Sequence, residues 1–286
     1  MKQKVTWFDW VNTILIAILT FVCFYPLWYV FVVSISTQTG YYADIYHIIP
    51  NSFTLASYKA IILDKFIFRA FGLSIEVTVI GTILSIVSTA MAGYIFSKTH
   101  LPGMSFLYKA ALFTMYFSGG MVPMYLLVKT LHLDNTIWAL ILPHLISTFN
   151  CILARNYFLS LPASLEESAR IDGATEFTIL AKIVVPLSKP ILATLVLFYA
   201  VGYWNAYMGA LLYMNESRMF TLPLVIRTLL MGAASTDMQQ NEAKQKTFTV
   251  GMNMASVFVS MIPILLIYPF LQKYFVKGIM VGAVKG

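Results

Sequence analysis

Residues 162–186 read PASLEESARIDGATEFTILAKIVVP, a polar stretch set between two long apolar runs. Its residue order spells a helical hairpin. Pro162 closes the segment before it, and Ser164 with Glu167 has the spacing of a capping box, in which hydroxyl and carboxylate satisfy backbone donors at a helix start. Leu165 to Asp172 supplies two helical turns. Gly173 takes the left-handed conformation that ends a helix. Ala174 to Lys182 forms a second short helix, and Pro186 begins the return to apolar sequence. Ser168, Ala169, Gly173 and Ala174 are small enough to let another surface approach closely. A plain amphipathic loop capped by Ser164 and Glu167 accounts for the same chemistry.

The runs on either side decide the solvent. The chain has 59% hydrophobic and 11% charged residues and a mean hydropathy of +0.78. Soluble domains carry roughly 25% charged residues, so this is an integral membrane protein. No Asp, Glu, Lys or Arg falls in 10–43, 77–97, 110–128, 135–154, 190–215 or 247–272. Each stretch is about the twenty residues needed to cross a hydrocarbon core as helix. Six spanning helices are expected, near 11–35, 71–97, 106–130, 136–158, 187–213 and 250–273. Continuous apolar runs, rather than alternation, argue against a barrel. Asp9 and the length of the first apolar run argue against a cleaved signal peptide, so the first helix reads as a retained anchor.

Six spans put both termini on one side. With the ends inside, cytoplasmic segments hold eleven of the 19 Lys and Arg residues and outer segments eight. Lys98 and Lys109 flank the short loop after the second span without a compensating acid, which supports this orientation. The net charge of +7 then reflects topology and contact with anionic lipid. His47, His100, His132 and His144 lack ligand spacing, and Cys23 and Cys151 fall inside spans, so neither a metal site nor a disulfide framework is indicated.

Within the spans, Phe21, Phe24, Tyr25, Trp28, Tyr29 and Phe31 make the first helix aromatic, as lipid packing and interfacial anchoring require. Glu76 reads as an interfacial acid at the outer end of the second span, and Arg155 as a cation facing the headgroups. Ser118-Gly119-Gly120-Met121-Val122-Pro123 should kink the third span. Tyr203, Trp204 and Asn205 set aromatic faces beside an amide in the fifth. Such a group suits a sugar, whose C–H faces stack on aromatics and whose hydroxyls need partners; it equally suits an interfacial belt. The stretch 214–249 reads as a polar outer loop.

The hairpin resembles the coupling loop of the permease subunits of ATP-binding-cassette importers, whose pattern is E-A-A-x3-G-x9-I-x-L-P. Glu167, Ala169, Gly173, Ile183 and Pro186 keep that register; Ser168 and Val185 depart from it. The phrases Phe117–Gly120, Trp138–Pro143 and Gln272–Gly278, with Trp204-Asn205 and Thr221-Leu222-Pro223-Leu224, resemble the maltose-type sugar permeases, in particular their YtcP-like oligosaccharide branch. The resemblance implies an all-α type I importer permease fold. Residues 1–286 would form a single transmembrane permease domain. In it, 11–35 would be a peripheral first helix, 71–273 a five-helix transport core, 162–186 a cytoplasmic coupling loop and 214–249 an extracytoplasmic loop.

It further implies that Glu166, Glu167, Ala169, Asp172, Gly173 and Ala174 contact an ATPase, and that Tyr203, Trp204 and Asn205 line the substrate path. The expected partners are a homologous second permease, two ATPase subunits carrying ATP and magnesium, an extracytoplasmic solute-binding protein and membrane lipid, with no nucleic acid. The chain itself would be non-catalytic and bind no cofactor, and it would sit in the bacterial cell membrane with both ends inside. The rival is an ion-coupled secondary transporter, which would usually hold acids or histidines deep in its spans; these spans have almost none. An intramembrane enzyme would need a nucleophile, metal cluster or acid pair, and no H-E-x-x-H occurs.

Overall fold

Capping chemistry sets where the helices begin, and in two cases it moves them from where the charge-free runs put them. A computed structural model describes residues 6–236 and 248–283. Its first helix, α1, is Trp7–Ser34. It starts four residues before the expected 11 because the Asp9 carboxylate accepts from the backbone N–H and hydroxyl of Thr6, at 2.7 and 2.8 Å. The short helices α2 (Gln38–Ala43) and α3 (Ala56–Leu63) follow. Then α4 runs over Lys65–Ser97, starting before the expected 71, because Asp64 Oδ1 accepts from the N–H groups of Phe66 and Ile67 at 2.8 and 3.3 Å.

The remaining helices are α5 (Met104–Tyr116), α6 (Met121–Thr130), α7 (Ile137–His144), α8 (Thr148–Leu159), α9 (Ala163–Ile171), α10 (Glu176–Leu187), α11 (Lys189–Asn205), α12 (Met208–Tyr213), α13 (Leu222–Thr236) and α14 (Thr249–Ala283). Among the described residues the extended backbone pairs at one isolated bridge, Ser36 with Phe53.

Among the described residues three single helices are apolar and long enough to cross a membrane: α1, α4 and the Thr249–Ile267 part of α14. The other expected spans are broken, and the breaks are sharper than a kink. α5 meets α6 at 110°, α7 meets α8 at 51°, and α10 meets α11 at 86°. Each break has a local cause. Phe117 leaves α5 in extended conformation and Gly120 sits at φ +89°. Pro143 removes a backbone donor as α7 tightens into a 3₁₀ turn. Ser188 ends α10 just before Pro190. The expected fifth span also stops early, at Asn205, and resumes as α12.

The stretch 214–249 is not wholly a loop. It contains α13, whose Leu222, Leu224 and Val225 are buried. The expected loop followed the polar residues of this stretch, of which Asp237–Lys246 lie outside the described residues. The apolar run just before them has helical spacing.

The described residues cluster into two compact units. The first joins those up to Phe68 with those of Val225–Ile262. In it, Tyr25 Oη and Trp28 Nε1 donate to the carbonyls of Tyr46 and Ile48, both at 2.8 Å. Val32, Val33 and Ser34 are buried, the Ser34 hydroxyl lies 2.7 Å from that of Tyr58, and Phe31 packs on Phe258. The rest of α1 displays Phe8, Trp10, Leu19 and Phe21 outward, as a lipid-facing helix should.

The second unit joins Arg69–Leu224 with the residues from Pro263 onward. One cluster in its core gathers Val77, Val128, Ile141, Tyr199, Tyr203 and Tyr213; another gathers Tyr94, Ala154, Phe158, Ile179, Leu180 and Leu195. Glu76 is exposed on α4. Arg155 is half-exposed and also holds two internal contacts. Its Nε donates to Phe96 O at 2.9 Å, satisfying a carbonyl of the last turn of α4, and its guanidinium lies 4.2 Å from the ring centre of Tyr108.

Candidate functional site

The hairpin's first helix begins two residues earlier than the capping box requires. Pro162 is the N-cap, at φ −61° and ψ 124°, and its carbonyl accepts from Leu165 N–H at 3.2 Å. Ser164 therefore lies inside α9, and the expected capping pair of Ser164 and Glu167 does not form. Proline fixes the φ needed for the entry, so no side-chain cap is used. The other end follows the expected turn. Gly173, at φ +80°, donates to Arg170 O at 3.0 Å, and Ala174 donates to Ala169 O at 2.9 Å. These two bonds are the paired closure of a Schellman motif.

Thr175 caps the next helix, its hydroxyl accepting from Thr178 N–H at 3.3 Å. That helix runs to Leu187 rather than ending at Lys182. Leu180–Val184 forms a π turn, and the wider turn carries the helix through Pro186, whose ring would otherwise meet the carbonyl one turn back.

The side chains of the hairpin divide by direction. Ala169 and Ala174 turn inward, against the cluster that contains Phe158 and Leu180; the close approach their size permits is to the chain's own core. Glu167 and Asp172 are exposed, and Glu167 makes no ion pair among the described residues. Two large apolar side chains stand out beside them, Ile171 at 87% exposure and Phe177 at 71%. The sequence reading passed over both, although an isolated Ile and Phe in a polar hairpin were the available signal.

Glu166 behaves differently. Its carboxylate pairs with the buried Lys98 ammonium and, at 3.4 Å, with Arg170 Nη2. Arg170 Nε donates to Glu176 Oε1 at 2.9 Å, and Tyr94 Oη donates to Glu176 Oε2 at 2.5 Å. The Lys98 ammonium sits 4.1 Å from the centre of the Tyr94 ring. The circuit Lys98–Glu166–Arg170–Glu176–Tyr94 is closed, and it ties both arms of the hairpin to the Ser97 end of α4. Arg170, and after it Tyr94, holds the Glu176 carboxyl below its usual range. Charge-assisted bonds of this kind are stronger than neutral ones and fix geometry.

A second candidate site lies in the same unit. A cavity of about 270 Å³ is lined by His144, Ser147, Asn150, Phe198, Tyr199, Gly202, Tyr203 and Ala206, close to the lower end of the ~300–1,000 Å³ usual for ligand sites. It opens where α7 breaks into α8, and irregular backbone at membrane depth is tolerated where it lines a cavity. Two tyrosines mend the break. Tyr203 Oη donates to Ile141 O at 3.2 Å, so its oxygen accepts from Ser85 Oγ at 2.9 Å. Tyr199 Oη accepts from Ser147 N–H at 3.1 Å and lies 2.6 Å from Thr89 Oγ1. Both hydroxyls are thus used within the protein, and the imidazole of His144, the hydroxyl of Ser147 and the amide of Asn150 remain as the polar side chains of the lining.

Of the three residues read as a substrate path, Tyr203 alone reaches this cavity. Trp204 points the other way, edge-on to Phe71 at 5.8 Å. It lines a smaller apolar cavity with Leu197, Val201, Pro263 and Ile267. Asn205 is exposed at the end of α11. Positions 198, 199, 202, 203 and 206 share one helical face and 204 does not, so the spacing distinguished them where composition did not.

A mostly helical chain with three long apolar helices and three broken ones, a capped polar hairpin and a cavity at a helix break is a membrane transport subunit. A profile of the family described as "Binding-protein-dependent transport system inner membrane component" matches residues 4–281, and the chain belongs to that family. Its members are multi-pass inner-membrane permeases of ATP-binding-cassette importers, non-catalytic themselves, with ATPase activity on separate subunits.

Among curated relatives, Protein LplC of Bacillus subtilis is 41% identical over 283 residues, covering 98% of this chain and 95% of the relative. The polygalacturonan/rhamnogalacturonan transport system permease protein YtcP of the same organism is 40% identical over 267 residues, covering 93% of each. Among solved structures, a bacterial ABC transporter involved in the import of the acidic polysaccharide alginate has a chain that superposes with a TM-score of 0.87. It has 30% identity, with 96% of this chain and 99% of that one covered. The fold is the type I importer permease fold that the hairpin's residue pattern led us to expect.

Proposed function

We propose that this chain is one half of a heterodimeric pore that imports an oligosaccharide, and that hairpin 162–186 is its contact with a cytoplasmic ATPase. The observation that carries the reading is the hairpin itself. It closes by a Schellman turn and is bolted to α4 by a ring of charged groups, while Glu167, Ile171 and Phe177 are left outward. A rigid knob with one acid and two apolar side chains suits docking into a groove on a partner. Small, fully buried side chains would have suited a passive turn.

In this reading ATP draws two ATPase subunits together, each holding one hairpin, and the permease halves rock between inward- and outward-facing states. The ligand-dependent shift comes from the difference in hairpin contact between the open and closed ATPase pair. An extracytoplasmic binding protein delivers the solute, and both termini of the chain lie in the cytoplasm. The carbohydrate assignment is supported by the names of the relatives. It is also supported by the tyrosine faces, imidazole and amide of the cavity, which match the alternating apolar and hydroxyl faces of a sugar. This moves the substrate-path proposal from Trp204 and Asn205 to Tyr203, Tyr199, His144 and Asn150.

Reconstitution tests the whole reading. Liposomes carrying the chain with its sister permease and ATPases should accumulate labelled oligosaccharide only with binding protein and ATP. Liposomes carrying the chain alone should not. Uptake by the chain alone, driven by an ion gradient, would make it a secondary carrier instead.

A further inference from the structure

We propose that α4 is the rod by which the state of the central cavity reaches hairpin 162–186, with Ser85 and Thr89 at its receiving end and Tyr94 and Lys98 at its delivering end. The proposal rests on the reading of the hairpin as the ATPase contact.

Three side chains on α4 and Lys98, the residue just past its end, make the argument. Ser85 and Thr89, both fully buried, bond the hydroxyls of Tyr203 and Tyr199. Those hydroxyls also hold Ile141 O and Ser147 N–H, on either side of the α7–α8 break. A ligand that shifts the break therefore pulls on two tyrosines, and through them on α4. Gly81 keeps that grip tight, since a methyl group there would lie 2.8 Å from the Tyr203 ring. At the other end Tyr94 and Lys98 hold Glu176 and Glu166, one acid in each arm of the hairpin.

Stiffness distinguishes α4 from its surroundings. It runs unbroken over Lys65–Ser97, whereas the pairs α5–α6, α7–α8 and α10–α11 bend by 110°, 51° and 86°. The eight residue steps from Thr89 to Ser97, the last residue of α4, span about 12 Å at helical rise. A continuous helix conveys a displacement over that distance, and a hinged one absorbs it. The hydroxyls of Thr89 and Tyr94 touch neither solute nor ATPase in this scheme; they are positioning groups.

The test is a double-mutant cycle in the full complex in nanodiscs: this chain, its sister, both ATPases and the binding protein. The reading is the ratio of ATPase rates with and without solute-loaded binding protein, per assembled complex. Thr89→Val and Tyr94→Phe should each lower that ratio about two- to tenfold, the equivalent of one buried hydrogen bond. Thr89→Ser, which keeps the hydroxyl, should restore it. The double variant should fall no further than the more affected single variant, because both cut one path.

A double effect equal to the product of the two single effects would overturn the proposal, as would a wild-type ratio in either single variant or failure of Thr89→Ser to rescue. Gly173→Val is run beside them. If it abolishes stimulation while Thr89→Val and Tyr94→Phe do not, the rod fails and the ATPase contact stands. If it changes neither stimulation nor ATPase binding, the contact reading fails and takes the rod with it.

Discussion

Gly173→Val isolates the geometry of the hairpin turn from its contacts. The residue sits at φ +80°, and a Cβ built there meets nothing within 4 Å. Any cost is therefore backbone strain rather than collision. A β-branched residue in the left-handed region is disfavoured by about 1–2 kcal/mol, and valine's stiffness puts it at the upper end. Relief comes from opening the turn, which gives up the 3.0 Å bond from Gly173 to Arg170 O and the 2.9 Å bond from Ala174 to Ala169 O. At 1.36 kcal/mol per tenfold, the closed hairpin loses roughly a factor of 5–30 in population relative to open forms.

If the ATPase binds the closed form, its apparent Kd rises by up to that factor. The assay is titration of the ATPase onto the permease pair in nanodiscs, with Gly173→Asn as control. Asparagine tolerates the left-handed region and should stay within about twofold of wild type. Equal affinity for valine and glycine, or an asparagine variant as weak as valine, would refute the reasoning.

Other outcomes follow from the same contacts. Glu167→Gln removes a charge that has no ion-pair partner among the described residues and no capping role, so permease stability should not change while ATPase affinity falls about five- to tenfold; unchanged affinity would deny Glu167 a contact. Glu176 has its pKa held below the usual 4.5 by Arg170 and Tyr94, so its clamp is at full strength above the ordinary carboxylate range and is lost as pH falls through the depressed value. Amide protection across 163–187, corrected for the intrinsic exchange rate, should then fall only on acidification below about pH 4.5, and Glu176→Gln should remove that dependence; a transition near neutrality would point to another group. Trp204→Ala should lower thermal stability, by about 3 kcal/mol if it behaves as a buried aromatic deletion, and leave solute flux per assembled complex as in wild type; reduced flux at normal stability would return Trp204 to the substrate path.

The sequence revealed composition and local turns, and left direction and distant pairing hidden. Charge-free windows located the long apolar segments because a charge in hydrocarbon is costly anywhere along a span. Gly173 was legible because a left-handed residue is a local demand. The break between α5 and α6 was legible only as a kink. Hydropathy is blind to axis direction, and the glycines of Phe117–Gly120 permit a mild bend as readily as one of 110°.

The capping box failed because Pro162 offered an earlier entry to the helix. The charged ring escaped notice for a different reason. Lys98 and Glu166 are 68 residues apart and Tyr94 and Glu176 are 82 apart, and no single segment carries such a pairing. Trp204 was read with Tyr203 because they are neighbours in the chain, although neighbours on a helix face directions about 100° apart.

The breaks also bear on how the protein is made. α5 has 13 residues and α6 has 10, about 20 Å and 15 Å of helix, against a hydrocarbon core of about 30 Å. Neither half is long enough to cross a bilayer alone, yet together they are long and apolar enough for one broken span. Backbone groups freed in lipid need partners, and at this break they are met locally: Gly120 N–H donates to Ser118 Oγ at 3.1 Å, and Phe117 N–H donates to Phe113 O at 3.0 Å. A break that carries its own partners needs no later segment to complete it.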